Sequence, residues 1–213
     1  MPLSLAEGIT LYFARHGQTE ANLAKRFSGK RDTPLTALGR DQAHEIGQVL
    51  KRELGARPEI ACVSSPLARA RTTMEIARGA LELPRDGYVL DPRIQEIDLG
   101  AWDQLTQEQA RALDPAYYDR RARDKWNVPA PGGESYADVA VRLTGWVNEL
   151  KTDSFAVSHG AATRILRGLF AGLDASRMSA LSEPQGVVFR VRGSEVVQLP
   201  GAGGAVSNPT SMG

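Results

Sequence analysis

Short apolar runs, each stopped abruptly by a polar turn, punctuate this chain. Ile9 to Ala14 is followed at once by Arg15-His16-Gly17-Gln18-Thr19 and reads as a buried strand ending in a turn. Ile60 to Ser64 reads as a second strand. Ser65-Pro66 then offers an N-cap and a first-turn proline, and Leu67, Ala70, Met74, Ala77 and Leu81 recur at helical spacing. Ser154 to Ser158 repeats the plan: His159-Gly160 makes the turn, Ile165, Leu166, Leu169 and Phe170 give a helix its apolar face, and Gly172 ends it.

Two longer amphipathic helices are predicted between these units. Thr36 to Leu54 carries Ala43, Ile46, Gly47, Leu50 and Leu54 on one stripe, with Gly55 as terminator. Ser135 to Leu150 places Val139, Leu143, Trp146, Val147 and Leu150 on one face, and Ser135 with Asp138 forms a capping box in which aspartate replaces the usual glutamate. Gly186 to Arg192 and Glu195 to Leu199, parted by Gly193-Ser194, predict a terminal hairpin. After Pro200 the chain is rich in Gly, Ala and Ser and is expected to be disordered.

Strands alternating with helices predict an α/β fold: three layers, α/β/α, with a mainly parallel sheet covered by helices on both faces. In such sheets ligands bind beyond the carboxyl ends of the strands. Arg15, His16, Arg69 and His159 all fall at or just past such an end, so one crevice can collect them. The 213 residues suit one domain. The expected division is a domain over 1–200 with a cap insertion at about 103–133, and a tail over 201–213.

Composition narrows the partners. Lys and Arg number 26 against 25 Asp and Glu, a formal charge of +1, so no global field favours nucleic acid or an anionic membrane. The lone Cys62, in an apolar run, fits a buried small side chain in a reducing compartment. Without a leader-like N-terminus or a long apolar stretch, the expectation is a soluble cytoplasmic protein. The three histidines, His16, His44 and His159, show no metal-ligand spacing, and there is no CxxC pair, Walker loop or GxGxxG turn, so neither a metal nor another cofactor is expected. His44 shares the polar side of its helix with Arg40, Gln48 and Lys51 and reads as a solvated residue.

Free backbone N–H groups at the turn after His16 would favour an anion. Arg15 and Arg69 add planar forks for phosphoryl oxygens. An imidazole between two guanidiniums disfavours its own protonation, which would leave His16 a lone pair for attack on phosphorus, with His159 as a further donor. Each residue also has a plainer reading: His16 as a structural strand-end side chain, His159 as a turn histidine bonded to backbone, Glu96 as a solvated loop carboxylate.

The run Arg15-His16-Gly17-Gln18-Thr19-Glu20-Ala21-Asn22 resembles the signature of the histidine phosphatase superfamily, the phosphoglycerate-mutase-like proteins. Further blocks resemble the family in order: Phe27-Ser28-Gly29, Pro34-Leu35-Thr36 through Gln42-Ala43, Ser64 through Arg69 to Thr72, Glu96 through Trp102, Pro131 to Ser135, and Ser158-His159-Gly160. The resemblance runs from about Ile9 to about Leu199. It implies that His16 is the phosphorylated nucleophile, that Arg15, Arg69, His159 and Asn22 form the phosphate pocket, and that Glu96 is the proton donor. It also implies that Ser28, Gly29 and Gly160 contact substrate. One departure is visible: the family often follows this tryptophan with an acidic residue and a glycine, and here Asp103-Gln104 stands.

The implied activity is hydrolysis of phosphomonoesters of small metabolites through a phosphohistidine. A phosphoglycerate mutase-type transferase is the alternative, disfavoured by the short span from Glu96 to His159, and a non-catalytic phospho-ligand module is a third. Between Glu96 and Pro131, aromatic residues mix with Arg120, Arg121, Arg123 and Lys125; one or two of these cations are expected to bind a second anionic group of the substrate, against the plainer reading of a solvated face. Neither the natural substrate nor the oligomeric state is legible.

Overall fold

The computed structural model describes residues 2–56 and 58–201. In chain order the elements are β1 (Thr10–Arg15), α1 (Glu20–Leu23), α2 (Ala37–Leu54), β2 (Ala61–Ser64), α3 (Ala68–Ala80) and β3 (Val89–Leu90). Two 3-10 turns, Pro92–Ile94 and Gly100–Trp102, lead to α4 (Gln107–Leu113) and α5 (Pro115–Arg123). There follow α6 (Tyr136–Asn148), β4 (Ser154–Ser158), α7 (Gly160–Phe170), α8 (Ala175–Ala180), β5 (Phe189–Arg192) and β6 (Glu195–Gln198).

The strands form one sheet in the order β3-β2-β4-β1-β5-β6. β1 to β4 run parallel, and the β5–β6 hairpin adds two antiparallel strands beside β1. Side chains of β1 alternate between two cores, as strand geometry requires. Leu11 and Phe13 join α6 and α7 on one face, while Tyr12 and Ala14 join α2 and α3 on the other. This is the expected three-layer α/β/α arrangement.

Local signals set several boundaries. Thr36 caps α2 by accepting from Gly39 N–H, and Gly55, at φ 82°, closes it. The Ser135–Asp138 capping box is present at the start of α6. The Ser65-Pro66 cap is a correction. Leu67 remains extended, Ser65 Oγ accepts from Leu67 N–H, which precedes the helix, and α3 begins at Ala68. Its first donors go instead to a distant carboxylate: Ala68 N–H to Asp32 Oδ2 at 2.7 Å and Arg69 N–H to Asp32 Oδ1 at 3.3 Å. The strand expected from Gly186 starts only at Phe189.

Cys62 is buried and His44 is exposed, as read from the pattern. No helix among the described residues is long and apolar enough to cross a membrane. Gly201 is exposed, and the rest of the tail expected to be disordered, 202–213, lies outside the described residues.

Candidate active site

Strands β1 and β4 lie side by side, and their carboxyl ends deliver the two histidines together. Arg15 pairs in register with Ser158, His16 N–H bonds to Ser158 O at 2.9 Å, and the His16 and His159 ring centroids are 5.1 Å apart. Ser158 Oγ donates to Ile94 O at 2.7 Å, tying the same strand end to the segment that carries Glu96. Behind the His16 turn, Gly17 and Gly39 meet backbone to backbone: a β-carbon on Gly17 would overlap Gly39 O, and one on Gly39 would overlap Gln18 O.

His16 is 2% exposed. Its Nδ1 lies 2.7 Å from Gly17 O; a carbonyl can only accept, so Nδ1 carries the proton. Nε2 is left with its lone pair and accepts from Arg69 Nε at 3.3 Å. Burial, then Arg69, then Arg15 push the His16 pKa well below its ordinary value, so the ring is neutral. His159 is likewise held neutral by burial and then Arg69; its Nε2 meets Ser65 Oγ at 2.7 Å, and its buried Nδ1 has no partner among the described residues.

Glu96 is 8% exposed, with Oε1 accepting from Ile97 N–H at 2.9 Å and Oε2 from Ala161 N–H at 3.3 Å. Burial first, and the nearby Glu183 second, raise its pKa above the ordinary carboxylate value; Ile97 N–H, Arg69 and Arg15 oppose this. A buried carboxyl that keeps its proton can serve as a general acid.

The two arginines differ. Arg15 gives Nη1 to Glu183 O at 2.6 Å, and its buried Nε lacks a partner among the described residues. Arg69 is 1% exposed and bonded all round: Nη1 to Arg31 O and Asp32 Oδ1, Nη2 to Gly29 O at 2.6 Å and Ser28 O at 3.4 Å, and Nε to His16. The free N–H groups expected after His16 are absent, which is a second correction. Side chains from α2, α3 and α1 take them: Gly17 N–H bonds to Thr73 Oγ1, Gln18 N–H to Gln42 Oε1 and Thr19 N–H to Asn22 Oδ1.

A cavity of about 450 Å³ opens at these strand ends and is lined by Arg15, His16, Asn22, Ser28 and Glu96. Arg69, His159, Gly29 and Gly160 stand behind its wall. Gly29 gives its N–H to Asp103 Oδ1 and its carbonyl to Arg69. Gly160 leaves space for a neighbour, since a β-carbon there would lie 2.6 Å from Glu183 Oε2. Asp103 also accepts from Arg31 N–H at 3.0 Å, and Gln104 occupies the left-handed region at φ 72°, so the turn survives without the glycine the family prefers.

Helices α4 and α5 carry the far wall. Trp102 is buried against Phe27, Tyr117 and Tyr118, and the Arg121 guanidinium lies over its ring at 5.5 Å. The basic residues expected of a cap divide: Arg121 and Lys125 line the cavity, while Arg120 and Arg123 line a separate depression beside Asp114 and Tyr117. Arg26, Arg164 and Glu183 also line the cavity. Burial, then Arg164 and Arg121, lower the Lys125 pKa. Sequence reading missed Asp32, Arg164, Glu183 and Gln185; the turn-forming Glu183-Pro184-Gln185-Gly186 run predicts a bend but not its contacts. Among the described residues no group of three or more His, Cys, Asp or Glu could hold a metal ion.

Known proteins align with this arrangement. A 2,3-bisphosphoglycerate-dependent phosphoglycerate mutase from Chelativorans sp. is 32% identical over 88% of this chain and 95% of its own length. The 6-phosphofructo-2-kinase/fructose-2,6-bisphosphatase of Aquarana catesbeiana is 29% identical over 85% of this chain, a match that spans only 37% of that longer protein. The structure of mycobacterial glucosyl-3-phosphoglycerate phosphatase in complex with VO3 superposes with a TM-score of 0.73, 30% identity and coverage of 90% of this chain and 96% of that one. Residues 11–195 match the family described as histidine phosphatase superfamily (branch 1), and the chain therefore belongs to that superfamily of phosphatases and mutases.

Proposed function

We propose that this enzyme hydrolyses phosphomonoesters of small metabolites in two steps through a phosphohistidine on His16. The observation that carries the reading is the unprotonated Nε2 of a buried His16 in the same cavity as Glu96, a buried carboxyl whose pKa is raised by burial and then by Glu183. In the first step Nε2 attacks phosphorus, the P–O bond to the leaving group breaks, and Glu96 gives its proton to the departing oxygen. In the second, Glu96 takes a proton from water as that water attacks the phosphohistidine, releasing inorganic phosphate and restoring His16. Arg15 and Asn22 hold phosphoryl oxygens from the cavity wall, Arg69 and His159 support them from behind, and Ser28 lies at the rim.

The reading extends to the substrate's far end. Arg121 and Lys125 face the cavity together with Arg164, and the buried Nε of both arginines lacks a partner among the described residues. This supports a second anionic group on the substrate, bound by Arg121 and Lys125. Residues 1–200 then act as one domain with the segment at about 103–133 as its cap, in the cytoplasm and without a metal.

A mutase is the second reading, favoured by the mutase relative. Purified protein should be offered p-nitrophenyl phosphate and a panel of metabolite phosphates with and without EDTA, beside His16→Ala, with isomerisation of 3-phosphoglycerate followed in parallel. Phosphate release that is insensitive to EDTA and lost in the variant is expected. Equal turnover by the variant rejects the nucleophile; rapid isomerisation with little phosphate release favours the mutase.

A further inference from the structure

A second carboxylate stands on the cavity wall, and the two-step chemistry makes no use of it. Glu183 lies in the loop between α8 and β5. Its Oε2 is 3.8 Å from Arg15 Nη1, its Oε1 is 3.2 Å from Arg164 Nη1, and its backbone carbonyl accepts from Arg15 Nη1 at 2.6 Å. Arg164 Nη1 also donates to Tyr136 Oη at 3.0 Å. One side chain thus joins the guanidinium at the end of β1 to another on α7.

The surrounding loop is fastened on both sides. Gln185 Nε2 donates to His16 O and to Asn22 Oδ1, each at 3.1 Å, and Arg167 donates to Ser182 O. Space for the carboxylate depends on Gly160, whose absent β-carbon would meet Oε2.

We propose that Glu183 is a positioning residue of the phosphoryl-transfer site, its carboxylate bridging Arg15 and Arg164 so that both guanidiniums are held on one wall of the cavity. This inference rests on the phosphatase reading. A loose arginine samples many rotamers, and ordering it on substrate arrival weakens binding; a bridge made beforehand removes that cost. The bridge also brings negative charge to Glu96, where it ranks second only to burial in favouring the protonated acid. The charged and titratable groups around Glu183 are Arg15 from β1, Arg164 and Arg167 from α7, Lys125 from the segment after α5, Tyr136 from α6, and Glu96. Those around Glu96 are Glu183, Arg69 from α3, Arg15, Tyr136 and Arg142 from α6, whose Nη2 donates to Glu96 O at 3.2 Å.

The test compares Glu183→Gln, which keeps the shape and removes the charge, with Glu183→Asp, which keeps the charge on a shorter arm. Both are assayed on p-nitrophenyl phosphate and an alkyl phosphate across the neutral pH range, with Tm measured alongside and His16→Ala as the chemical control. E183Q should lower kcat/KM by about tenfold or more, the scale of one charge-assisted contact. Its alkaline limb should move to lower pH, because Glu96 then gives up its proton more readily. E183D should return that limb toward the wild-type position. A kcat/KM within about twofold of wild type and an unmoved limb in E183Q would overturn the proposal. So would a loss equal at every pH that follows a fall in Tm and is not recovered by E183D. Wild-type protein without phosphatase activity, or H16A with full activity, would overturn the underlying reading and this inference with it.

Discussion

Arg69 Nε points at His16 Nε2 from 3.3 Å, and the rest of the Arg69 guanidinium is bonded to Asp32 and to backbone carbonyls of Ser28, Gly29 and Arg31. The nitrogen proposed as the nucleophile therefore faces a fixed cation before substrate arrives. Burial first and that cation second keep the ring neutral, and the same fork holds the 28–32 loop against α3. Lysine, with three donors on one point charge, cannot make all of these bonds.

Replacement of Glu96 by Ala should depend on the leaving group. An alkoxide needs the proton that Glu96 supplies, so kcat on an alkyl phosphate should fall by about 100- to 10,000-fold, the usual range for a general acid. p-Nitrophenolate leaves without protonation and should lose far less. Steady-state kinetics on the two substrates check this, and equal losses would remove Glu96 as the acid.

The division of the cap's cations predicts a division of phenotypes. Arg121→Ala and Lys125→Ala should lower kcat/KM for substrates with a second anionic group by about tenfold or more relative to p-nitrophenyl phosphate, as expected when a charged hydrogen bond is lost. Arg120→Ala and Arg123→Ala should leave that ratio unchanged, because both face the other depression. An unchanged ratio in all four variants would mean that no cap residue reads a second charge.

Gln104→Gly should stabilise the fold. The left-handed backbone costs a residue with a β-carbon about 1–2 kcal/mol, and glycine returns part of that gain through its freer unfolded chain, leaving about 0.5–1 kcal/mol. Urea denaturation of the two proteins compares them directly. A less stable variant would show that the Gln104 side chain contributes more than its backbone costs.

Acid should weaken the fold through the histidines. Both are neutral when folded, whereas unfolded imidazoles protonate near about pH 6.5. Below that value the unfolded chain holds more protons, so this stabilisation, complete at higher pH, is lost as pH falls toward the folded values. Glu96 has the opposite sign. Its raised pKa leaves the native state with an extra proton, a stabilisation present in acid and lost as pH rises through the folded value. Two histidines against one carboxyl leave the unfolded chain holding about one proton more than the native state while Glu96 stays protonated, a net destabilisation in acid. Glu96→Gln removes the opposing group and should steepen the slope by about one proton. Denaturation midpoints collected below neutrality decide it, and identical slopes would show that Glu96 is not protonated there.

The parts legible in the sequence are those governed by neighbours along the chain. The apolar period of α2, its Thr36 cap, the Ser135–Asp138 box and the strand-to-turn step at Ser158-His159 are each encoded within a few residues. The approach of Arg15, His16, Arg69 and His159 to one crevice was legible from their places at strand ends, whereas Glu96 was implied only by the family resemblance. Asp32 as the cap of α3 was not, because the cap lies in a loop far from the helix, and the nearer Ser65-Pro66 offered a plausible substitute. The Glu183 bridge to Arg15 crosses most of the chain length, and nothing near either residue advertises the pair.

The contact between Gly17 and Gly39 restricts the paths open to this lineage. Each residue blocks a side chain on its neighbour's segment through a main-chain oxygen, so a change at one site creates no room for a change at the other. Compensatory drift, the ordinary route by which paired positions diverge, is closed here. Relocating the His16 turn would require moving a whole helix.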